Sequence, residues 1–359
     1  MVTNLLFELI QVSLGNKEKF SFSPSEDEWT ELFEQATKHS IAGVLFDGLE
    51  KIINTTHCKI PEIFFEWFGT QQQIATANEL LNLRSKEIYN IFRKAGFRSC
   101  VLKGQGTAMY YHRPEYRQCG DIDLWVEGDR DDVVKFIETK GYQIDCIDIK
   151  NAEVKFFEDV PVEIHFRPNC MYEPIVDKRL QYFFRCNADT QFSAFDEQLG
   201  FAHTTNAFDL VYSMVHIYRH FFSEGIGLRQ VVDYYYILSK SVANDRQSAF
   251  HDLCRFRMAS FVGGVMFILV EKLGMSAEWL LCEPNKKHGE FLLKEILISG
   301  NFGQYDQRTR KIDKQKRFVR GLVMLRRNLR FMRYYPTEVL CSPFWKLYHY
   351  CWRKCKGYL

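Results

Sequence analysis

The chain has no Cys-x-x-Cys pair. Its eleven cysteines are scattered from Cys58 to Cys355, a pattern that excludes a zinc ribbon and fits a reducing cytoplasm better than a disulfide framework. His349, Cys351 and Cys355 come nearest to a metal cluster, but no fourth ligand stands beside them. An excess of one charge is also lacking. With 47 Lys+Arg against 45 Asp+Glu the formal net charge is +2, so the molecule as a whole is no polyelectrolyte binder. No apolar run is long enough for a membrane helix. MASFVGGVMFILVEKLGM comes closest, but Glu271 and Lys272 interrupt it, and it reads as a buried core helix. The N-terminus has no basic leader with a small-residue cleavage site, so it reads as a helix and not as a signal peptide. Internal repeats and low-complexity linkers are missing too.

What is present is 46% hydrophobic content over 359 residues, enough for a substantial core in two or three compact units. Residues 1–95 read as helix. Ser23 or Ser25 is placed to cap EDEWTELFEQATKHS, and with Ser25 as cap Glu28 completes a capping box. Pro61 opens a long helical pattern closed by Gly96. The period then changes. FRSCVLK and DIDLWV read as strands separated by a turn into a short helix. An acid-started helix, DRDDVVKFIETKGY, leads to three more strands, QIDCIDI, AEVKFFE and PVEIHF. Helical patterns return from Asp209 onward. The segment from Pro168 to about Asn206 is the least regular and is expected to hold the crossover. The expected fold is α+β: a helical region over 1–95, a small mixed-sheet core over 96–190 and a helical region over 191–359.

The unusual stretch is CGDIDLWV, residues 119–126, where two acids interrupt a strand. Residues two apart on a strand share a face, so Asp121 and Asp123 project together and repel unless something positive stands between them. A divalent cation does that, and Mg²⁺ prefers few carboxylates plus phosphate oxygens. The bland alternative is a pair of acids facing solvent or paired with Arg117. The same rule puts Glu163 and His165 of PVEIHF on one face. If that strand lies beside DIDLWV, Glu163 becomes a third converging carboxylate. Ahead of them, Lys103-Gly104-Gln105-Gly106-Thr107 turns a strand into a helix, with small residues that let backbone N–H groups approach an anion such as a triphosphate.

LKGQG, GDIDLWV and VEIHF together resemble the DNA polymerase β-type nucleotidyltransferase superfamily, and within it a bacterial group of largely uncharacterised nucleotidyltransferases. That group has a helical N-terminal region, LKG before a helix, an Arg shortly before DID, a Glu-x-His strand and a helical tail with a His-rich segment. The tail's counterpart here is HIYRHFFSEGIGLRQVVDYYYIL, from His216 to Leu238. The resemblance implies a nucleoside triphosphate substrate (ATP by default), an acceptor of unknown identity, and two Mg²⁺ ions, with Mn²⁺ as the alternative. It implies metal binding and catalysis by Asp121, Asp123 and Glu163, and nucleotide contacts from Lys103, Gly104, Gly106, Thr107 and Arg117. One departure stands out: the superfamily commonly has Gly-Ser or Gly-Gly after its first strand, where this chain has Lys103-Gly104.

Several residues carry two readings. Arg117 either touches a phosphate or neutralises Asp121. His165 orients a carboxylate, touches substrate, or is an ordinary strand histidine. His216 and His220, four apart on one helical face, lack an acidic third ligand and suit packing or contact with substrate better than zinc. Arg229 and Asp233 form an intrahelical ion pair, or Arg229 reaches the cleft while Asp233 holds it. The loop FFSEGIG is expected at the rim of that cleft. The basic run 308–333, interleaved with Phe318, Leu322, Leu325, Leu329 and Phe331, reads as an amphipathic helix with a solvated cationic face; a nucleic-acid surface is the less favoured reading. Two other function classes compete. A sugar-nucleotide glycosyltransferase would also use Asp-x-Asp, but would place a nucleotide-binding fold ahead of it and leave Glu163 unexplained. A non-catalytic nucleotide- or RNA-binding module would not need all three carboxylates.

Overall fold

The structure is a computed structural model that describes residues 2–21, 23–56, 59–310 and 317–358; the side chains of 56 and 309–324 lie outside that description. Phe318 and Leu322 of the basic run therefore fall outside it.

Five strands form a mixed sheet: β1 (Ser99–Leu102), β2 (Ile122–Val126), β3 (Gln143–Ile147), β4 (Asn151–Lys155) and β5 (Val162–His165), in the order β1-β2-β5-β4-β3. β1 runs antiparallel to β2, and β4 antiparallel to both β5 and β3. β2 and β5 alone run parallel, in a register that pairs Asp123 with Glu163 and Trp125 with His165. The parallel pair follows from what connects it: the helix Arg130–Thr139 and the β3-β4 ribbon carry the chain back to its starting end. β2 is buried along its whole length, as a strand covered on both faces requires.

Among the described residues four helices precede the sheet: Val2–Leu14, Glu26–Lys38, Ala42–Thr56 and Phe64–Lys94. Ser25 caps the second. Its hydroxyl accepts from Glu28 N at 3.3 Å, and the Glu28 carboxylate accepts from Ser25 N at 2.9 Å. The 31-residue helix Phe64–Lys94 ends at Gly96, whose φ of +88° suits glycine. Its Ile88 and Phe92 are buried, and the Phe92 ring lies 5.3 Å from Phe136 of the helix Arg130–Thr139.

Beyond the sheet, Asn206–Ser223, Leu228–Ser239, Ala243–Arg255 and Ala259–Glu271 are helical. The last is the apolar segment, buried along Phe261, Val262, Val265, Met266, Ile268 and Leu269. Among the described residues no helix is long and apolar enough to cross a membrane. The architecture is α+β, with a mixed sheet flanked by helices on both sides.

The stretch from Pro168 to Asn206 departs from expectation. It contains a 20-residue helix, Pro174–Ser193, with Pro174 in its first turn. Val176, Leu180, Phe184 and Phe192 return every four or eight residues and are buried, while the polar residues between them hide the period. This helix covers the site-bearing face of β2, where Phe192 lies 4.6 Å from Trp125. The chain's last helices, Arg317–Met332 and Pro336–Cys355, form a hairpin. In the basic run Phe331 is buried, but Leu325 and Leu329 point outward.

Candidate active site

Asp123 stands on β2 opposite the end of β1, directly before Lys103 in register. Lys103 has a left-handed backbone, φ +44°, a strained conformation for a residue with a side chain. Its Nζ lies 2.8 Å from Asp123 Oδ2 and 4.0 Å from Asp121 Oδ2. The positive charge demanded by two neighbouring aspartates is thus supplied in part by the protein itself.

On the other side, His165 Nε2 is 2.7 Å from Asp123 Oδ1 and 3.3 Å from Glu163 Oε2. Its Nδ1 donates to the Arg167 carbonyl at 3.3 Å. Asn151, from β4, donates to Glu163 Oε2. Asp123 is shut in, with 2% side-chain exposure, whereas Glu163 at 28% and Asp121 at 44% open to solvent.

These contacts outweigh burial. Burial alone would raise the Asp123 carboxyl, but Lys103 and His165 hold it below its ordinary value. Burial likewise pushes Glu163 up, yet its hydrogen bond and charge attraction to His165 bring it down to about 2. Burial opposes charge on His165 and on Lys103. The carboxylates prevail in both cases and raise His165 and Lys103 above their usual values. Asp123, Glu163 and Lys103 are therefore charged at neutral pH, and His165 is shifted toward its charged form.

Asp123, Glu163 and His165 each offer a ligand atom within 4.8 Å of the other two. Asp121 adjoins them through Lys103. Oxygen donors from three acids suit a hard divalent cation, and the imidazole nitrogen broadens the choice toward Mn²⁺. The donor set fits such an ion, on condition that Lys103 yields its hold on Asp123.

A cavity of about 350 Å³ collects Lys103, Asp121, Asp123, Glu163, His165 and His220, with Lys150 and Glu224 on its walls. A second, of about 760 Å³, shares Asp121 and Glu163 with it and extends past Arg229 and Phe302. A small third cavity brings Thr107 and Gly104 beside Lys103 and Asp121. Thr107 is almost fully buried, and its hydroxyl has no hydrogen-bond partner there. Gly106 has a different job: a Cβ there would lie 2.9 Å from His203 Cβ, so its smallness serves close packing.

Two expected pairings differ. Arg117 does not neutralise Asp121; its guanidinium grips Asp233 at 2.7 and 2.8 Å, and Tyr111 Oη donates to the same carboxylate at 2.5 Å. Arg117 is buried and fully engaged, because a planar guanidinium meets a carboxylate best through two parallel bonds. Asp233 consequently neither pairs with Arg229 along the helix nor holds it. Arg229 turns to the loop before β2, donating to the Gln118 carbonyl at 2.7 Å, with its guanidinium 5.6 Å from the Phe302 ring. Asp233 instead fixes the chain that leads into Asp121.

His216 and His220 lie side by side, with ring centres 4.2 Å apart and planes tilted by 54°. Burial pulls His216 well below its ordinary value, and His220 is lowered by burial despite Glu224 at 3.4 Å. Both line the carboxylate cavity, as does Glu224 of FFSEGIG. Sequence reasoning missed Asn151, Lys150, Gln118 and Phe302. None sits in a motif, and Phe302 reaches the site from the far side of the chain with φ +49°; only the Glu163–His165 strand hinted that a neighbouring strand would contribute.

The sequence model of a family described as uncharacterised nucleotidyltransferase matches residues 25–271. The match covers more than half of the chain and every site residue above except Phe302. No curated protein matches the chain. The chain belongs to this nucleotidyltransferase family.

Proposed function

We propose that this family member is a polymerase β-type enzyme of the bacterial kind, moving a nucleoside monophosphate from a nucleoside triphosphate, ATP by default, to an acceptor hydroxyl or phosphate. The acceptor oxygen attacks the α-phosphorus as the bond to the departing pyrophosphate breaks. The observation that carries this reading is the parallel β2-β5 register, which seats Asp123 beside Glu163 with Asp121 at the strand entrance. A glycosyltransferase would have no use for that pairing, and helices occupy the chain ahead of β1.

Asp121 and Asp123 would hold both of two divalent ions, Mg²⁺ or Mn²⁺, and Glu163 the acceptor-side ion. Such ions neutralise the phosphates and lower the acceptor's pKa. His165 fixes Asp123 by occupying Oδ1, so that Oδ2 alone is available. Lys103, once released from Asp123, would be free to pair with phosphate oxygens, and Thr107 would offer them its unpaired hydroxyl. Arg229, on the wall shared with Asp121, supplies positive charge where negative charge develops. His220 lines the same cavity as a neutral donor or acceptor. The free thiols accord with a cytoplasmic setting. We divide the chain near 95 and just after Ser193, since 190 falls within the helix Pro174–Ser193.

The test is Mg²⁺- or Mn²⁺-dependent release of pyrophosphate across a panel of acceptors, alongside calorimetry of triphosphate binding. Wild-type activity lost in both Asp121→Asn and Glu163→Gln supports the reading. Full activity in both variants, or pyrophosphate release independent of divalent metal, refutes it.

A further inference from the structure

The C-terminal hairpin lies beyond the family match, and its outer face has an unusual composition. On the helix Pro336–Cys355, Leu340, Phe344, Leu347 and Tyr348 are 57%, 75%, 63% and 60% exposed. Spaced by four, three and one residues, they form one stripe. Leu325 and Leu329 of the preceding helix are exposed as well. A soluble surface rarely gathers so many large apolar side chains.

This face is not a loosely attached tail. Glu338, at the foot of the helix, accepts from Arg219 Nη1 at 2.6 Å and from Tyr172 N at 3.2 Å. Arg219 in turn lies over the Tyr172 ring at 3.5 Å, and Trp345 packs on the same ring at 5.0 Å. Phe331 stacks on Phe221 at 4.8 Å, and Arg327 donates to the Phe221 and Ser223 carbonyls that end the histidine-bearing helix. With the inner side fixed in this way, the apolar side is held outward.

Charge decides what covers it. Residues 325–358 hold eight Lys and Arg against one acid, Glu338; Arg330 and Lys356 pair with Glu295 and Asp131 of other elements, and Glu338 is buried against Arg219. Arg333 at the hairpin turn and Lys354 in the last helical turn are exposed at the two ends of the stripe, and Arg326 is exposed beside Leu325 and Leu329. A second copy of this face would bring like charges together. An anionic bilayer meets both features at once: leucine and aromatic side chains enter the headgroup boundary while lysine and arginine stay at its surface.

We propose that the outer face formed by residues 325–355 of this hairpin is a docking surface for an anionic membrane, on which the protein lies without crossing it. The test is flotation of the full-length protein with phosphatidylcholine vesicles, with and without phosphatidylglycerol, at low and high salt. Wild type should float with the phosphatidylglycerol vesicles and lose them as salt rises. Phe344→Glu combined with Leu347→Glu should weaken that binding roughly tenfold or more, as should Arg326→Glu combined with Arg333→Glu and Lys354→Glu. Unchanged melting temperatures would show both variants folded, since all five positions face outward. The proposal is overturned if wild type ignores vesicles of either composition, if it binds both equally, or if the stripe variants abolish a self-association seen by sedimentation while lipid binding is absent. Retention of the wild-type vesicle affinity by both variants overturns it as well.

Discussion

Two buried charge clusters, one around Asp233 and one around Asp123, meet at the loop before β2 and serve opposite ends. Around Asp233, one guanidinium and one phenol take up the carboxylate completely, and every partner is a side chain held by the core. Around Asp123, the partners are Lys103 on a strained turn and His165, while the neighbouring acids Asp121 and Glu163 stay partly open to solvent. The first cluster is closed and binds the loop before β2 to the helix Leu228–Ser239. The second has the same ingredients but exchangeable ones. Burial of a carboxylate beside a cation does not by itself mark a reactive site; what separates the two is whether the remaining valences face protein or cavity.

The largest expected effect sits in the open cluster. Asp123→Asn should lower turnover by roughly 10³-fold, measured as metal-dependent pyrophosphate release, with the far-ultraviolet spectrum unchanged. In the closed cluster the damage should fall on stability. Asp233→Asn leaves Arg117 buried without its counter-charge and should cost about 3–5 kcal/mol by denaturant titration, and Asp233→Leu with Arg117→Met should recover much of that. If the single change proves nearly neutral, the distinction between the clusters fails.

Arg229 links the two, since it emerges from the helix that carries Asp233 and reaches the loop that carries Asp121. Arg229→Ala should slow turnover by roughly 10²-fold and barely alter the midpoint of unfolding. A loss of stability without loss of rate would assign it to the closed cluster.

The smallest effect concerns a buried ionisable group with no ionic partner. His39 is fully buried, and neither ring nitrogen has a hydrogen-bond partner. Burial, aided by Lys38, depresses it to about 3. Because the folded value is below the unfolded one, its contribution is intact above the unfolded value and is lost as pH falls toward 3. By pH 5 the loss should be about 2 kcal/mol. Stability curves at several pH values, wild type against His39→Leu, should diverge in that range, and parallel curves would refute the assignment.

Much of this was legible in one dimension. The Ser25–Glu28 box is a local rule and formed as read, and the alternation in DIDLWV and PVEIHF put Asp121 with Asp123 and Glu163 with His165, all four lining one cavity. The adjacency of those strands was only a conditional, since nothing local states which strands pair. Arg117 and Asp233 are 116 residues apart, and at the sequence level Asp233 had a nearer suitor four residues away in Arg229. The helix Pro174–Ser193 was hidden because its polar residues outnumber its buried ones and dilute the period. Asn151 and Phe302 reach the site through tertiary packing alone, which leaves no pattern to read.

Lys103 has one more consequence. With its ammonium lodged against Asp123, the resting protein carries its own counterion and, on the proposed reading, would have little appetite for free divalent cations. On the proposed reading, an incoming nucleotide must do two things together: offer its phosphates to the lysine and deliver its chelated ion to the acids thereby freed. Binding would then be ordered, with metal and nucleotide entering as one unit. Magnesium added to the protein alone would register only weakly in a titration, whereas Lys103→Met would take up the bare ion readily and lose its discrimination between free metal and metal–nucleotide complex.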